Sequence, residues 1–333
     1  TYNKMSIWIW IGFFALVLAM LAIDLGVTDR HPHEIKIKEA LVQTAIWISV
    51  SLLFCFGIFV FDGEGYFNGG EKALEFLTGY LIEKSLSMDN LFVFLMLFSY
   101  FGIPGKYQHE VLFWGILGAL VLRTIFIFAG VSLINRFVWI IPVFGAFLVF
   151  TGIKTFLSKD NDNDDPGNNL IIRVFKKLFP VTPKMHEDKF FVREAGKFVA
   201  TPIFLALLVI EASDIVFAVD SIPAVLAVSH DPFIVLTSNI FAILGLRALY
   251  FALAGVARYF IYLKYGLGII LTFVGVKMLL GSEFIMVDMI GRDEALEIPT
   301  LWSLAFICVV LVVSIAVSVV VSKKKEAVEA SAK

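Results

Sequence analysis

Nine stretches of this chain are long and apolar enough to cross a hydrocarbon core: about 6–23, 41–61, 74–100, 109–131, 137–157, 201–229, 231–255, 259–280 and 300–322. Crossing a bilayer core of roughly 30 Å takes about 20 helical residues. Backbone polar groups find no water there, so they must be satisfied within the segment. The pattern therefore predicts an all-α polytopic membrane protein with nine transmembrane helices. The composition agrees, at 59% hydrophobic and 17% charged residues with a mean hydropathy of +0.88, far from a soluble globular domain. The first run reaches Asp24 without a small-residue cleavage site, so it reads as a span rather than a signal peptide.

Lys and Arg in loops set orientation, because basic loops stay in the cytoplasm. With the N-terminus outside, 18 of the 27 basic residues fall on the inner side and only Lys4, Lys72, Arg136 and Arg292 outside. The expected topology is N-out, C-in. Five regions follow: 1–72 with two helices and a cytoplasmic loop, 73–157 with three helices, a cytoplasmic linker at 158–200, 201–281 with three more helices, and 282–333 with an external loop, a last helix and a basic tail. The net charge of −2 says little; the bulk partner expected is the lipid bilayer, and no nucleic acid.

The two three-helix regions read as diverged copies. ILGALVLRTIFIFAGV (116–131) and GAFLVFTGIKTFL (145–157) match FAILGLRALYFALAGV (241–256) and GIILTFVGVKMLL (268–280), pairing Arg123 with Arg247, Gly130 with Gly255, Gly152 with Gly275 and Lys154 with Lys277. Upstream, either DNLFVF at Asp89 matches DIVFAV at Asp214, or LIEKS matches VIEAS and sets Glu83 opposite Glu211. Three spans is an odd number, so the second copy enters from the other side. Inverted repeats of this kind are common in secondary transporters, with the substrate site at the midplane between repeats.

Acidic residues sit inside these apolar runs: Glu83 and Asp89 in LIEKSLSMDNLFVF, and Glu211, Asp214 and Asp220 in LLVIEASDIVFAVDSIPA. An ionised Asp at a bilayer centre costs roughly 2.5–3.5 kcal/mol on insertion scales, so such groups are expected to be paired, protonated or metal-bound. Pro223 removes a helical donor and is expected to open the helix around Asp220 and Ser221. With Asn90 and nearby serines these groups make an all-oxygen ligand set, suited to hard divalent cations rather than to zinc or copper. The five histidines sit in loops or at span ends, and Cys55 and Cys308 each stand alone. The alternative is plain ion pairing with Arg123, Arg247, Lys84, Lys154 and Lys277; of these, Arg123 and Arg247 are the candidates for gating or counter-ion roles. Asp24 is a peripheral candidate at the end of the first span. The acidic run 160–169 starts like a calcium loop but carries Asp165 and Ile171 where Gly and Glu are needed, so it reads as a solvated connector. No phosphate-binding loop of the GxxxxGK[ST] type occurs, and no enzymatic activity or permanently bound cofactor is expected.

The segments AIDLGVTDRHPHEIKIKEAL, FLTGYLIEKSLSMDNLFVFLMLFSYF, FGAFLVFTGIKTF, EASDIVFAVDSIPA and LKYGLGIILTFVGVKML carry a resemblance. In them the chain resembles the TerC family of integral membrane proteins, and within it the Alx-type bacterial members. The resemblance implies a bacterial inner-membrane protein of the LysE-type transporter superfamily. It implies manganese export under alkaline or manganese stress and, by family name, tellurium resistance. It also implies a metal path through Glu83, Asp89, Glu211, Asp214 and Asp220. The expected function is a secondary exporter of Mn2+, with protons as the natural counter-ion. A membrane-bound redox modulator and a non-transporting stress-response scaffold are the alternatives.

Overall fold

The computed structural model describes residues 7–28, 36–60, 69–137, 139–157, 175, 177, 179–182, 189–194, 196–254, 263–289, 295–296 and 298–331. Ten helices run in order: α1 (Ile7–Thr28), α2 (Ile37–Val60), α3 (Gly69–Tyr100), α4 (Gly105–Arg136), α5 (Ile140–Leu157), α6 (Pro202–Leu226), α7 (Pro232–Leu244), α8 (Leu246–Ala254), α9 (Leu263–Leu280) and α10 (Thr300–Ser331). Among the described residues seven spans are long and apolar enough to cross a membrane: α2, α4, α5, α6, α7 with α8, α9, and Thr300–Ser322 of α10. The other two expected spans are helical but fall short of that standard. The apolar stretch described in α1 is the shorter Ile7–Ile23, and α3 carries Glu71, Lys72, Glu75, Glu83, Lys84 and Asp89 along its length.

Local sequence explains the helix ends. Pro202 and Pro232 occupy first-turn positions, where the missing N–H is no loss. Asp231 caps α7 by accepting from the Phe233 N–H at 2.9 Å. After α3, Gly102 takes φ +62°, and the Ile103 N–H returns to the Phe98 carbonyl at 2.9 Å, a glycine-terminated helix end. Gly102→Val is expected to cost about 1–2 kcal/mol, since a β-branched residue resists the left-handed region. Thermal unfolding of the detergent-solubilised protein would measure it.

Two expectations about interruptions are corrected. Helix α6 runs unbroken past Asp220 and Ser221 to Leu226, with Pro223 in its last turn and the Ala227 N–H bonded to the Pro223 carbonyl at 3.0 Å. So near the end, the proline displaces little of the hydrogen-bond ladder. The break falls instead at Gly245, between α7 and α8. There Lys84 Nζ donates to the Ala242 carbonyl at 3.1 Å, a cation at a helix C-terminus. A Cβ on Gly245 would lie 2.9 Å from that Nζ and 3.1 Å from the Trp47 Cβ. The linker 158–200 of a chain expected to be all-α contains an antiparallel hairpin, β1 (Phe191–Glu194) with β2 (Lys197–Ala200), so the fold is mostly rather than wholly helical. The acidic run 160–169 lies outside the described residues.

Packing defines a centre and a rim. Every residue of α7 from Phe233 to Leu244 is buried, as expected for a helix surrounded on all sides, and α3 packs against both α7 and α6 while α4 packs against α6. Helices α5 and α9 meet through glycines. A Cβ on Gly275 would lie 2.7 Å from the Gly145 carbonyl oxygen, and one on Gly152 would lie 2.7 Å from that of Gly268. Small residues at such crossings let membrane helices approach backbone to backbone.

Candidate functional site

Arg123 lies on the stripe of α4 that also buries Ile116, Ala119, Leu120 and Ile127. Helical periodicity thus aims its guanidinium inward, toward α3 and α6. It meets Glu83 from α3 and Asp214 from α6, and the three are 2%, 0% and 5% exposed, so the charges are withdrawn from solvent. Arg123 Nη1 donates to Glu83 Oε1. Asp214 is held in a fork, Nε to Oδ2 at 3.2 Å and Nη2 to Oδ1 at 2.8 Å, the bidentate geometry that makes arginine–carboxylate pairs strong.

Amides and hydroxyls complete the shell. Asn239 of α7 donates from Nδ2 to Glu83 Oε2 at 2.8 Å, and Ser87 donates to Glu83 Oε1 at 3.2 Å. Asn90 donates from Nδ2 to Asp214 Oδ1 at 3.4 Å, and Ser221 Oγ accepts from Arg123 Nη1 at 3.3 Å. A carboxylate only accepts, so each amide must turn its nitrogen to its carboxylate. This leaves the carbonyl oxygens of Asn90 and Asn239 buried without a hydrogen-bond partner. Such orphans are uncommon in native interiors and ask for an ion or a water. The ionised pair of acids exceeds the guanidinium by one negative charge.

The remaining candidates are dispersed. Asp220, half-buried, faces Thr151, which hydrogen-bonds it, and Lys154, both on α5. It also borders a cavity of about 100 Å³ together with Asn90, Arg123, Thr155, Phe217 and Ser221. Glu211 packs against Gly118 of α4, where a Cβ would collide with its carboxylate. Arg247, 2% exposed, is bonded through Nη1 to His109 Nε2 at 2.7 Å. Lys277 donates to Ser303 at 3.1 Å. The side chains of Asp89 and Asp24 lie outside the described residues. Among the described residues no three Asp, Glu, His or Cys groups converge as a metal cluster would; the centre is two carboxylates supplemented by neutral oxygens. Cys55 on α2 and Cys308 on α10 are both free thiols.

Asn239 is the member that sequence reasoning missed. The available signal was Thr237, Ser238 and Asn239, consecutive polar residues inside the otherwise apolar run 231–255. A second polar group also lacked a sequence signal: buried Glu75 of α3 accepts from Ser229 at 2.5 Å and pairs with Lys72 at 2.9 Å.

Residues 68–326 match the family described as "Integral membrane protein TerC family". The chain is 46% identical over 320 residues to the "Putative membrane-bound redox modulator Alx" of Photorhabdus laumondii, covering 95% of this chain and 96% of that protein. It is 51% identical over 275 residues to the protein of the same name from Escherichia coli K12, covering 82% and 85%. It is 54% identical over 270 residues to "Uncharacterized membrane protein STKORF319" of Myxococcus xanthus, covering 81% and 82%. No solved structure matches the chain.

Proposed function

Because this chain belongs to the TerC family of integral membrane proteins, we propose that it is a secondary transporter that exports Mn2+ across the bacterial inner membrane through the carboxylates at its centre. The observation that carries this reading is the convergence of Glu83 and Asp214 on one guanidinium, beside two buried amide oxygens without partners. Carboxylates gathered only for stability need no unsatisfied oxygens around them. An all-oxygen set suits a hard divalent cation; the choice of manganese rests on the family resemblance. Asp89, Glu211 and Asp220 belong to the path in this reading, as the family resemblance implies, and protons are the counter-ion that exchangeable carboxylates favour.

The architecture in this reading is nine spans, N-out and C-in, with α3–α5 and α6–α9 as inverted copies. The α5–α9 crossing supports it. If Gly145 corresponds to Gly268 and Gly152 to Gly275, the contacts Gly145–Gly275 and Gly152–Gly268 exchange under a two-fold rotation, as a self-complementary interface requires. Glu83 and Asp214 then come one from each copy, which puts the site at the repeat interface.

The name carried by the relatives favours a second reading, a membrane-bound redox modulator. A thiol-based version would act through Cys55 and Cys308. Purified protein in liposomes loaded with a manganese-sensitive dye separates the two. Wild type should move Mn2+, Glu83→Gln and Asp214→Asn should each slow it about tenfold or more, because ligand charge sets divalent affinity, and the Cys55→Ala/Cys308→Ala variant should match wild type. An inert wild type, or neutralised variants as fast as wild type, would overturn the transport reading; loss of the protein's effect on cellular thiol redox balance in the cysteine-free variant would favour the other.

A further inference from the structure

We infer that Arg123 is a tethered competitor of the transported cation: its guanidinium holds the seat between Glu83 and Asp214 when no ion is bound, and swings to Asp220 across the adjoining cavity when a divalent cation takes that seat. This rests on the transport reading and adds how its site is emptied and filled. The seat is already shaped for a cation, with two carboxylates engaged by one guanidinium and the Asn90 and Asn239 carbonyl oxygens buried beside them without a partner. A planar fork uses the carboxylates but cannot donate to those two oxygens as well. A spherical divalent ion can take four such oxygens, with water completing its shell.

The guanidinium has somewhere to go. Arg123 and Asp220 border the same cavity of about 100 Å³, and Ser221, next to Asp220, already accepts from Arg123 Nη1 at 3.3 Å. Among the described residues Asp220 is met by the Thr151 hydroxyl and the field of Lys154, and a carboxylate has more accepting sites than one hydroxyl fills. Charge favours the exchange. A divalent ion neutralises Glu83 and Asp214 together, and the displaced guanidinium is neutralised by Asp220, so neither charge is left unpaired in the membrane interior. The measured affinity then equals the intrinsic affinity reduced by the fraction of protein whose arginine has vacated the seat.

Equilibrium Mn2+ binding to the detergent-purified full chain, read from the free-ion paramagnetic resonance signal, tests this. Arg123→Gln should bind about tenfold tighter than wild type because the competitor is gone. Asp220→Asn should bind about tenfold weaker than wild type because the arginine has lost its second seat, yet have no effect in the Arg123→Gln background. Unchanged affinity in Asp220→Asn overturns the proposal even if Arg123→Gln does not fold. Equal weakening by Asp220→Asn in both backgrounds overturns it too, since Asp220 would then be a direct ligand, as would a folded Arg123→Gln that binds no tighter. A wild type that binds no Mn2+ instead overturns the transport reading itself.

Discussion

Arg123→Met is expected to destabilise the metal-free protein by about 3–5 kcal/mol, because it strands two carboxylates where water cannot reach them. Glu83 and Asp214 are almost wholly buried, and without the guanidinium their remaining donors among the described residues are Asn239, Ser87 and Asn90, all neutral. The loss belongs to the uncompensated charge rather than to the missing contacts, and that distinction can be measured. The triple variant Glu83→Gln/Arg123→Met/Asp214→Asn removes every charge at the centre while keeping its approximate volume. Its unfolding temperature should return to near that of wild type, since replacing a whole buried ion network is often close to neutral whereas removing one member is not. Transport should be lost in the triple variant, because neither carboxylate of the central seat remains to bind the ion. Added Mn2+ should restore stability to Arg123→Met and leave the triple variant unmoved, by simple linkage of binding to folding. A triple variant as unstable as Arg123→Met would show that the guanidinium acts through packing instead.

Much of this arrangement is legible in the sequence, and the exceptions have physical causes. Apolar runs located the helices well, because run length reports directly on membrane crossing. The α7–α8 break was hidden: FAILGLRALY contains no proline, and a lone glycine in apolar sequence is compatible with a continuous helix. What distinguishes Gly245 is tertiary, the ammonium of Lys84 and the ring-bearing Trp47 side chain crowding its Cα. Pro223 erred in the opposite direction, since a proline's effect depends on how much helix follows it, and here that is Ala224, Val225 and Leu226. For the site, the charges were visible but their partners were not. Glu83, Arg123 and Asp214 are buried on the inner faces of their own helices, and which faces meet is decided by lateral packing of α4 on α6 and α3 on α7. Arg247 illustrates the same limit: its contact with His109 joins α8 to α4 and is set by how those helices pack, which neither local sequence shows. Asn239 was overlooked because an amide carries no charge to betray its cost, and only burial on every side makes it conspicuous.

Gly275→Val is expected to cost about 3 kcal/mol or more and to abolish transport, a loss at the upper end of what overpacking produces. The added Cβ would lie 2.7 Å from both the Gly145 carbonyl oxygen and the Val149 amide nitrogen. Those are backbone atoms of α5, which cannot rotate aside as a side chain does, so the helices must separate along the crossing. Separation also forfeits the Gly152–Gly268 approach, where a Cβ on Gly268 would lie 2.8 Å from the Gly152 carbonyl oxygen. Gly57→Val supplies the control, because a Cβ there meets nothing within 4 Å, and its change should stay within about 0.5 kcal/mol. If α5 and α9 are related by a two-fold axis, Gly152→Val should fall by the same amount as Gly275→Val. The double variant should then lose much less than the sum, since either substitution alone opens the shared interface. Parallel thermal unfolding and Mn2+ flux on the four proteins would decide it: a Gly275→Val protein as stable as Gly57→Val would mean that the close crossing does not hold the two helix bundles together.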